Sequence, residues 1–150
     1  MKRENAISSA TPESVGGRLP ATSGVRSDKV LTLSLEPAGF GGAVVLHCQG
    51  RVIFRGEARS LCGLISEVLP SARRMVVDLA GVVSLDSGAL GELVLTHMWA
   101  EAAGYGLKFA SPSELVRGLF ESTNLVSVFD VYASVEAAVA ALQQEEVRSA

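Results

Sequence analysis

The chain has 150 residues, of which 48% are hydrophobic, and a formal net charge of -3. This length and hydrophobic content predict one globular domain with an ordinary core, and they exclude a disordered composition. The slightly acidic balance argues against a general nucleic-acid-binding surface, and no apolar run approaches the ~20 residues of a membrane span. Two cysteines without metal-ligand spacing, and a charged start without an apolar segment behind it, predict a reduced cytoplasmic protein that lacks a signal peptide.

The first part of the chain predicts a leader followed by a hairpin. Residues 1–28 are rich in Ser, Thr, Gly and Pro and show no apolar period, which predicts a flexible or irregular leader. Strict alternation over Val30–Glu36 predicts a half-buried strand, and the more apolar Ala43–Cys48 predicts a central strand paired antiparallel with it. Val52–Phe54 is predicted to be a short third extended piece.

A helix and a long apolar stretch come next. Apolar residues at helical spacing over Arg55–Val68 predict a helix that Pro70 closes. Met75–Leu79 reads as a buried strand, followed by a glycine-containing turn at Ala80-Gly81 and a second short run at Val82–Leu85. A helix between two apolar strands predicts a right-handed crossover and parallel pairing.

The remaining elements alternate between helix and strand. The pattern predicts a helix that begins at Ser87 and ends at Gly104, a strand at Leu107–Ala110, a helix capped by Ser111 with Glu114 as its capping-box partner, and a last helix from Ser134. Val131-Tyr132 is predicted to be a short terminal extension of the sheet. The order predicts an α/β sandwich with a mixed sheet of four to five strands and about four helices. The domain is placed at 29–145, with a frayed C-terminus at 146–150.

One stretch carries a recognisable motif. Val76-Val77-Asp78-Leu79-Ala80-Gly81-Val82, followed after a short spacer by Asp86-Ser87-Gly88-Ala89-Leu90-Gly91, resembles the signature of the STAS domain of anti-sigma factor antagonists. The resemblance covers roughly Lys29 to Leu142 and implies the same α/β fold. Physically, Asp86 is a good N-cap, and Ser87 lies in the first helical turn, where unpaired N–H groups favour negative charge. Gly88 and Gly91 keep this end of the helix thin, so that another chain can approach it closely. Asp78 is interpreted first as a structural residue that holds the Gly81 turn, and second as a residue that faces the same corner.

The resemblance implies a phosphorylation switch. In the family the serine after the aspartate is phosphorylated by a partner kinase, and Ser87 occupies that position. The implied partners are an anti-sigma factor with serine kinase activity and a serine phosphatase, with no direct nucleic-acid contact. The residues expected to bind the partner surround Ser87 or lie in the loop after the second strand; they are Asp86, Gly88, Ala89, Leu90, Gly91, Arg51, Ile53 and Arg55.

The loop after the second strand departs from the family pattern. Many members have Gly-x-Leu-Asp there, whereas this chain has Gly50-Arg51-Val52-Ile53, so Ile53 stands where the acid is expected, with Arg51 and Arg55 on either side. The departure keeps a second hypothesis open. In it the chain is a STAS module that is never phosphorylated, either a scaffold or the small subunit of a lipid-transport ATPase.

Catalysis is the third hypothesis, and the sequence argues against it. Ser87 can be explained without chemistry as a helix-start serine that bonds its own backbone, and it lacks a Gly-x-Ser-x-Gly elbow. His47 and Cys48 are adjacent on a strand, so they face opposite sides and cannot pair. Cys62 and His97 have no partner at a recognisable spacing, and no phosphate loop or dinucleotide fingerprint is present. We therefore predict no catalytic residue, metal site or cofactor.

Overall fold

The computed structural model describes residues 24–27 and 31–149. Within them lie six strands, which are β1 (Gly24–Ser27), β2 (Leu31–Pro37), β3 (Val44–Val52), β4 (Arg74–Leu85), β5 (Gly106–Ala110) and β6 (Val131–Tyr132). Four α-helices accompany them, which are α1 (Glu57–Ala72), α2 (Ser87–Ala102), α3 (Glu114–Ser122) and α4 (Val135–Ser149). A 3₁₀ turn at Leu125–Ser127 leads into β6.

The strands form one mixed sheet in the order β1-β2-β3-β4-β5-β6. The pairs β1–β2 and β2–β3 are antiparallel, and the pairs from β3 to β6 are parallel. The predicted hairpin and the predicted parallel crossover through α1 are both confirmed. The predicted fold class, an α/β sandwich with a mixed sheet and about four helices, is confirmed as well. The described residues form six strands rather than the predicted four to five, because β1 adds to the edge of the sheet.

The two faces of the sheet are covered unequally. Helices α1, α2 and α3 pack on one face over the larger core, which contains Met75, Val77 and Leu79 of β4. The other face carries a smaller core, in which Val76 of β4 packs with Leu142 of α4. Because successive strand residues point to opposite faces, the apolar run of β4 supplies both cores. Within the described ranges, no helix combines the length and the apolar character that crossing a membrane requires.

The predicted turn at Ala80-Gly81 is wrong, because β4 continues through it to Leu85. A Cβ on Gly81 would lie 2.7 Å from the Cys48 carbonyl oxygen and 2.6 Å from the Gln49 side chain. The glycine therefore serves close approach of β3 at a shift in the parallel register, rather than a reversal of the chain. The predicted separate extended piece at Val52–Phe54 is also wrong, since β3 itself runs to Val52.

Helix boundaries differ from the prediction at three places. Helix α1 begins at Glu57 rather than Arg55, because Arg55 has a positive φ of 77°, and it continues past Pro70 to Ala72. Helix α3 is capped by Ser113, whose hydroxyl accepts from the Val116 N–H at 3.3 Å. Ser111, the predicted cap, has a positive φ of 56° and lies outside the helix.

The two ends of the predicted domain also differ from the sequence-based boundaries. Gly24–Ser27, predicted within the leader, form β1, which pairs antiparallel with β2. Unpaired N–H and C=O groups along the edge of β2 make such an added strand favourable. At the other end, α4 remains helical to Ser149, past the predicted start of fraying at 146. The rest of the predicted leader, residues 1–23 and residue 28, lies outside the described residues, as does the predicted strand start at Val30.

Candidate functional site

The predicted motif forms a corner where β4 ends and α2 begins. Asp86 has extended backbone angles and caps α2, its carboxylate accepting from the Ala89 N–H at 2.8 Å. The predicted cap is therefore confirmed. Ser87 is the first residue of α2, and it is exposed. Because Asp86 satisfies only part of the free N–H groups of the first turn, the position of Ser87 is electrostatically suited to an anionic group.

The loop that precedes α1 lies against this corner. The Phe54 N–H donates to both carboxylate oxygens of Asp86, at 3.2 Å each. A Cβ on Gly88 would lie 2.5 Å from the Phe54 ring, so residue 88 must be glycine for the ring to pack there. Sequence reasoning missed Phe54 as part of the site. A signal was available in Gly88, which had been interpreted only as a place of close approach by another chain.

The predicted partner-binding residues divide into two groups. Those that face solvent are Arg51, Arg55 and Gly91, while Asp86, Gly88 and Ile53 are half-buried. Ala89 and Leu90, in contrast, are 0% and 4% exposed and belong to the core. Their assignment to a docking surface is corrected here, because both point from the first turn of α2 towards the sheet, where a partner cannot reach them.

Helix α2 also exposes large apolar side chains. Leu95 is 67% exposed, Met98 56% and Trp99 39%. Met98 lies on the exposed side of the helix, because His97 and Ala100 occupy the buried side at that level. Ser87, Gly91, Leu95 and Met98 follow one another at spacings of four, four and three, so they share one face of the helix. We call these four residues the α2 ridge.

A second polar cluster, also missed, lies on the part of the sheet that carries β2, β3 and β4. The register places Ser34, His47 and Asp78 in one row across these strands. His47 Nδ1 lies 2.6 Å from an Asp78 carboxylate oxygen, and Nε2 lies 3.4 Å from Glu36. Partial burial opposes the charged ring, but the hydrogen bonds and charges of Asp78 and Glu36 outweigh it, so the pKa of His47 is raised from 6.5.

The contacts of this cluster also define the role of Asp78. Its second oxygen accepts from the Ala80 N–H at 3.0 Å. Asp78 therefore supports β4 and His47 rather than the corner, in agreement with the structural role that the sequence favoured. The pairing of residues 47 and 78 could have been found from a correct parallel register of β3 and β4.

The two thiols are poor candidates for chemistry. Cys48 and Cys62 are both free and buried. Burial raises the pKa of the Cys48 thiol far above its usual range, and burial also raises the pKa of Cys62. Since the thiolate is the reactive form, both are held in the unreactive state. Among the residues that the structure describes, no group of three or more His, Cys, Asp or Glu side chains could hold a metal ion.

Comparisons with known sequences identify the family of the chain. The model of the STAS domain family matches residues 34–138. A STAS-domain containing protein of Pseudomonas aeruginosa is 29% identical over 101 residues, which are 67% of this chain and 99% of that protein.

Solved structures support the fold. An anti-sigma factor antagonist from Mycobacterium paratuberculosis has a TM-score of 0.65 at 24% identity, covering 75% of this chain and 94% of its own. The Bacillus protein SpoIIAA, an anti-sigma factor antagonist, aligns in its unphosphorylated form with a TM-score of 0.60 at 21% identity, covering 75% of this chain and 96% of its own. Its phosphorylated form aligns with a TM-score of 0.57 at 18% identity, covering 73% and 98%. Because the family model spans more than half of the sequence, the chain belongs to the STAS domain family.

Proposed function

We propose that this chain is a regulatory binding domain of the anti-sigma factor antagonist type, which binds an anti-sigma factor with serine kinase activity and is released when Ser87 is phosphorylated. The observation that carries the proposal is the exposed Ser87 at the first position of α2, directly after the capping Asp86. SpoIIAA, which shares this fold, is known in phosphorylated and unphosphorylated forms.

The corner can accept a phosphate without loss of the fold. The kinase would transfer the γ-phosphoryl group of ATP to Ser87 Oγ, with ADP leaving and the hydroxyl proton passing to a base of the kinase. The product carries a charge of about -1.5 to -2 at neutral pH. The helix dipole favours that charge inside the domain, whereas a partner docked over Asp86 would meet a new dianion that it must desolvate. Phosphorylation therefore weakens binding more than folding.

The α2 ridge gives such a partner an apolar contact area that begins at the switch residue. Burial of Leu95 and Met98 would contribute the part of the affinity that does not depend on charge, at about 25 cal/mol per Å² of apolar surface. The charged and polar corner then decides whether that contact is permitted. A reversible switch requires this division, in which an apolar area supplies affinity and the charge of the corner at Ser87 controls whether the partner binds.

The test uses the chain purified from its native cells with its bound protein. Addition of Mg-ATP is expected to transfer one phosphate to the chain and to dissociate the complex in gel filtration. A Ser87→Ala variant should stay bound and unlabelled, and Ser84→Ala, a matched control three residues earlier, should behave as the wild type. Phosphate found only on Ser84, or a complex that stays intact after Ser87 is fully phosphorylated, would contradict the proposal.

The second candidate is a constitutive STAS module, either a scaffold or the small subunit of a lipid-transport ATPase. The size of the exposed apolar side chains on α2 favours it, because such a surface suits a partner that never leaves. Phosphopeptide mass spectrometry on native protein separates the two hypotheses. Ser87 that is unmodified in every growth condition would favour the constitutive module.

A further inference from the structure

The loop between β3 and α1 carries a positive charge. Residues 51–56, which are the end of β3 and this loop, contain Arg51 in the strand, Arg55 in the loop and no acidic residue. The loop is fixed to the switch corner at Phe54, whose N–H bonds to Asp86 and whose ring packs on Gly88. Residue 54 is therefore held at the corner by contacts that do not involve Ser87 itself, and the next residue follows it directly in the chain.

Arg55 is that next residue. Its guanidinium carbon lies 5.3 Å from the centre of the Phe54 ring, within the range of a cation–π contact. The side chain is exposed, and within the described part of the chain it forms no ion pair with a carboxylate. The N–H donors of a guanidinium fit the oxygens of a phosphate in a forked geometry that lysine cannot provide.

We propose that Arg55 binds the phosphate of phosphorylated Ser87 within the same chain. The inference rests on the proposed function only in assuming that Ser87 becomes phosphorylated. A dianion on Ser87 would stand beside the carboxylate of Asp86, and a nearby cation would offset the repulsion between the two groups. Arg55 is placed to supply that cation, since Phe54 joins it to both Asp86 and Gly88.

Binding of the Ser87 phosphate by Arg55, which we call the clamp, would change the docking surface in two ways. Phosphorylation adds negative charge at Ser87, and it also withdraws Arg55 from any acidic group on the partner. The phosphorylated chain would then present an internally paired corner instead of a free arginine. This explains how a loop with Ile53 in place of the expected acid can still report the state of Ser87.

The test introduces phosphoserine at position 87 during translation, so that no kinase is needed. The second pKa of the phosphate is then measured by phosphorus NMR. It is expected to be about 0.5 unit lower in the otherwise wild-type protein than in an Arg55→Gln variant, since a neighbouring exposed cation favours the dianion by that order. The substitution keeps a non-glycine side chain at the same positive φ, so the backbone cost of the loop stays similar.

Two further variants make the result specific. Arg51→Gln, which replaces the arginine near the end of β3, should leave the phosphate pKa at the wild-type value, and Arg55→Lys should give an intermediate value. Equal phosphate pKa values with and without Arg55, or a change only in Arg51→Gln, would overturn the clamp. Either result leaves the kinase and complex assay unaffected, so failure of the clamp is distinct from failure of the proposed switch.

Discussion

Replacement of Asp86 by alanine is expected to destabilise the fold by about 2 kcal/mol. The carboxylate caps α2 through the Ala89 N–H at 2.8 Å, and loss of an aspartate cap costs about 1 kcal/mol. It also accepts from the Phe54 N–H at 3.2 Å, and loss of a hydrogen bond of this kind costs about 0.5–1.5 kcal/mol. The loop at residue 54 is partly solvated, so water replaces part of the second contribution.

Asp86→Asn is the matched control, because asparagine caps a helix about as well as aspartate does. Its single carbonyl oxygen can keep the bond to Ala89 and cannot offer two oxygens to Phe54. We therefore expect Asp86→Asn to lose about 1 kcal/mol or less, and Asp86→Ala to lose about twice as much. For a chain of this size, 2 kcal/mol corresponds to a melting temperature lower by about 4–8 °C.

The assay is urea denaturation followed by the fluorescence of Trp99, the single tryptophan of the chain. This residue lies in the last turns of α2, with its ring 5.5 Å from that of Tyr105. Its environment therefore changes when α2 detaches from β5. Equal midpoints for Asp86→Ala and Asp86→Asn, or a loss below about 0.5 kcal/mol for the alanine variant, would refute the assignment of Asp86 as cap and loop anchor.

Three other predictions concern separate regions. Gly91→Ala, with open space around its added Cβ, should raise stability by up to ~1 kcal/mol through helix propensity. Gly88→Ala should instead lower the urea midpoint, because the added Cβ would lie 2.5 Å from the Phe54 ring. Equal gains in stability from both variants would contradict this packing. The stabilising charge of His47 should be fully present below pH 6.5 and be lost as the pH rises through its raised folded-state pKa. The stability difference between wild type and His47→Gln should therefore shrink towards alkaline pH, and a constant difference would count against the ion pairs. Cys48 and Cys62 should react with a thiol reagent at neutral pH only after unfolding, and fast labelling of the native chain would revive the hydrolase hypothesis.

Much of the sheet could be predicted because its strands depend on local patterns. The alternation that leads into Glu36 and the continuous apolar run of Met75–Leu79 each identify a strand and its exposure without any knowledge of its neighbours. The N-terminus of α2 was predictable for a similar reason, since Asp86 caps within its own segment. Gly81 was misassigned because glycine serves both turns and close strand approach, and only the position of β3 distinguishes the two.

The site was predictable only in part, because its other half comes from a distant loop. Phe54 reaches Asp86 across 32 residues of sequence, and the loop that carries it has a positive φ at Arg55, which no periodic pattern encodes. The exposed side of α2, which includes Met98, was not predictable for a different reason. Helix α2 is apolar on nearly every side, so hydrophobic spacing alone could not show which side faces the sheet.

One residue of the corner stabilises it and the next forms its exposed surface. Asp86 turns its carboxylate inward to Ala89 and Phe54, so its bonds stabilise the chain whether or not a partner is present. Ser87 contributes its backbone to α2 and presents its hydroxyl outward. Changes at Ser87 should therefore alter binding with little effect on unfolding, whereas changes at Asp86 should alter both. A switch residue placed beside its own structural anchor can gain and lose charge repeatedly, because the fold never depends on that charge.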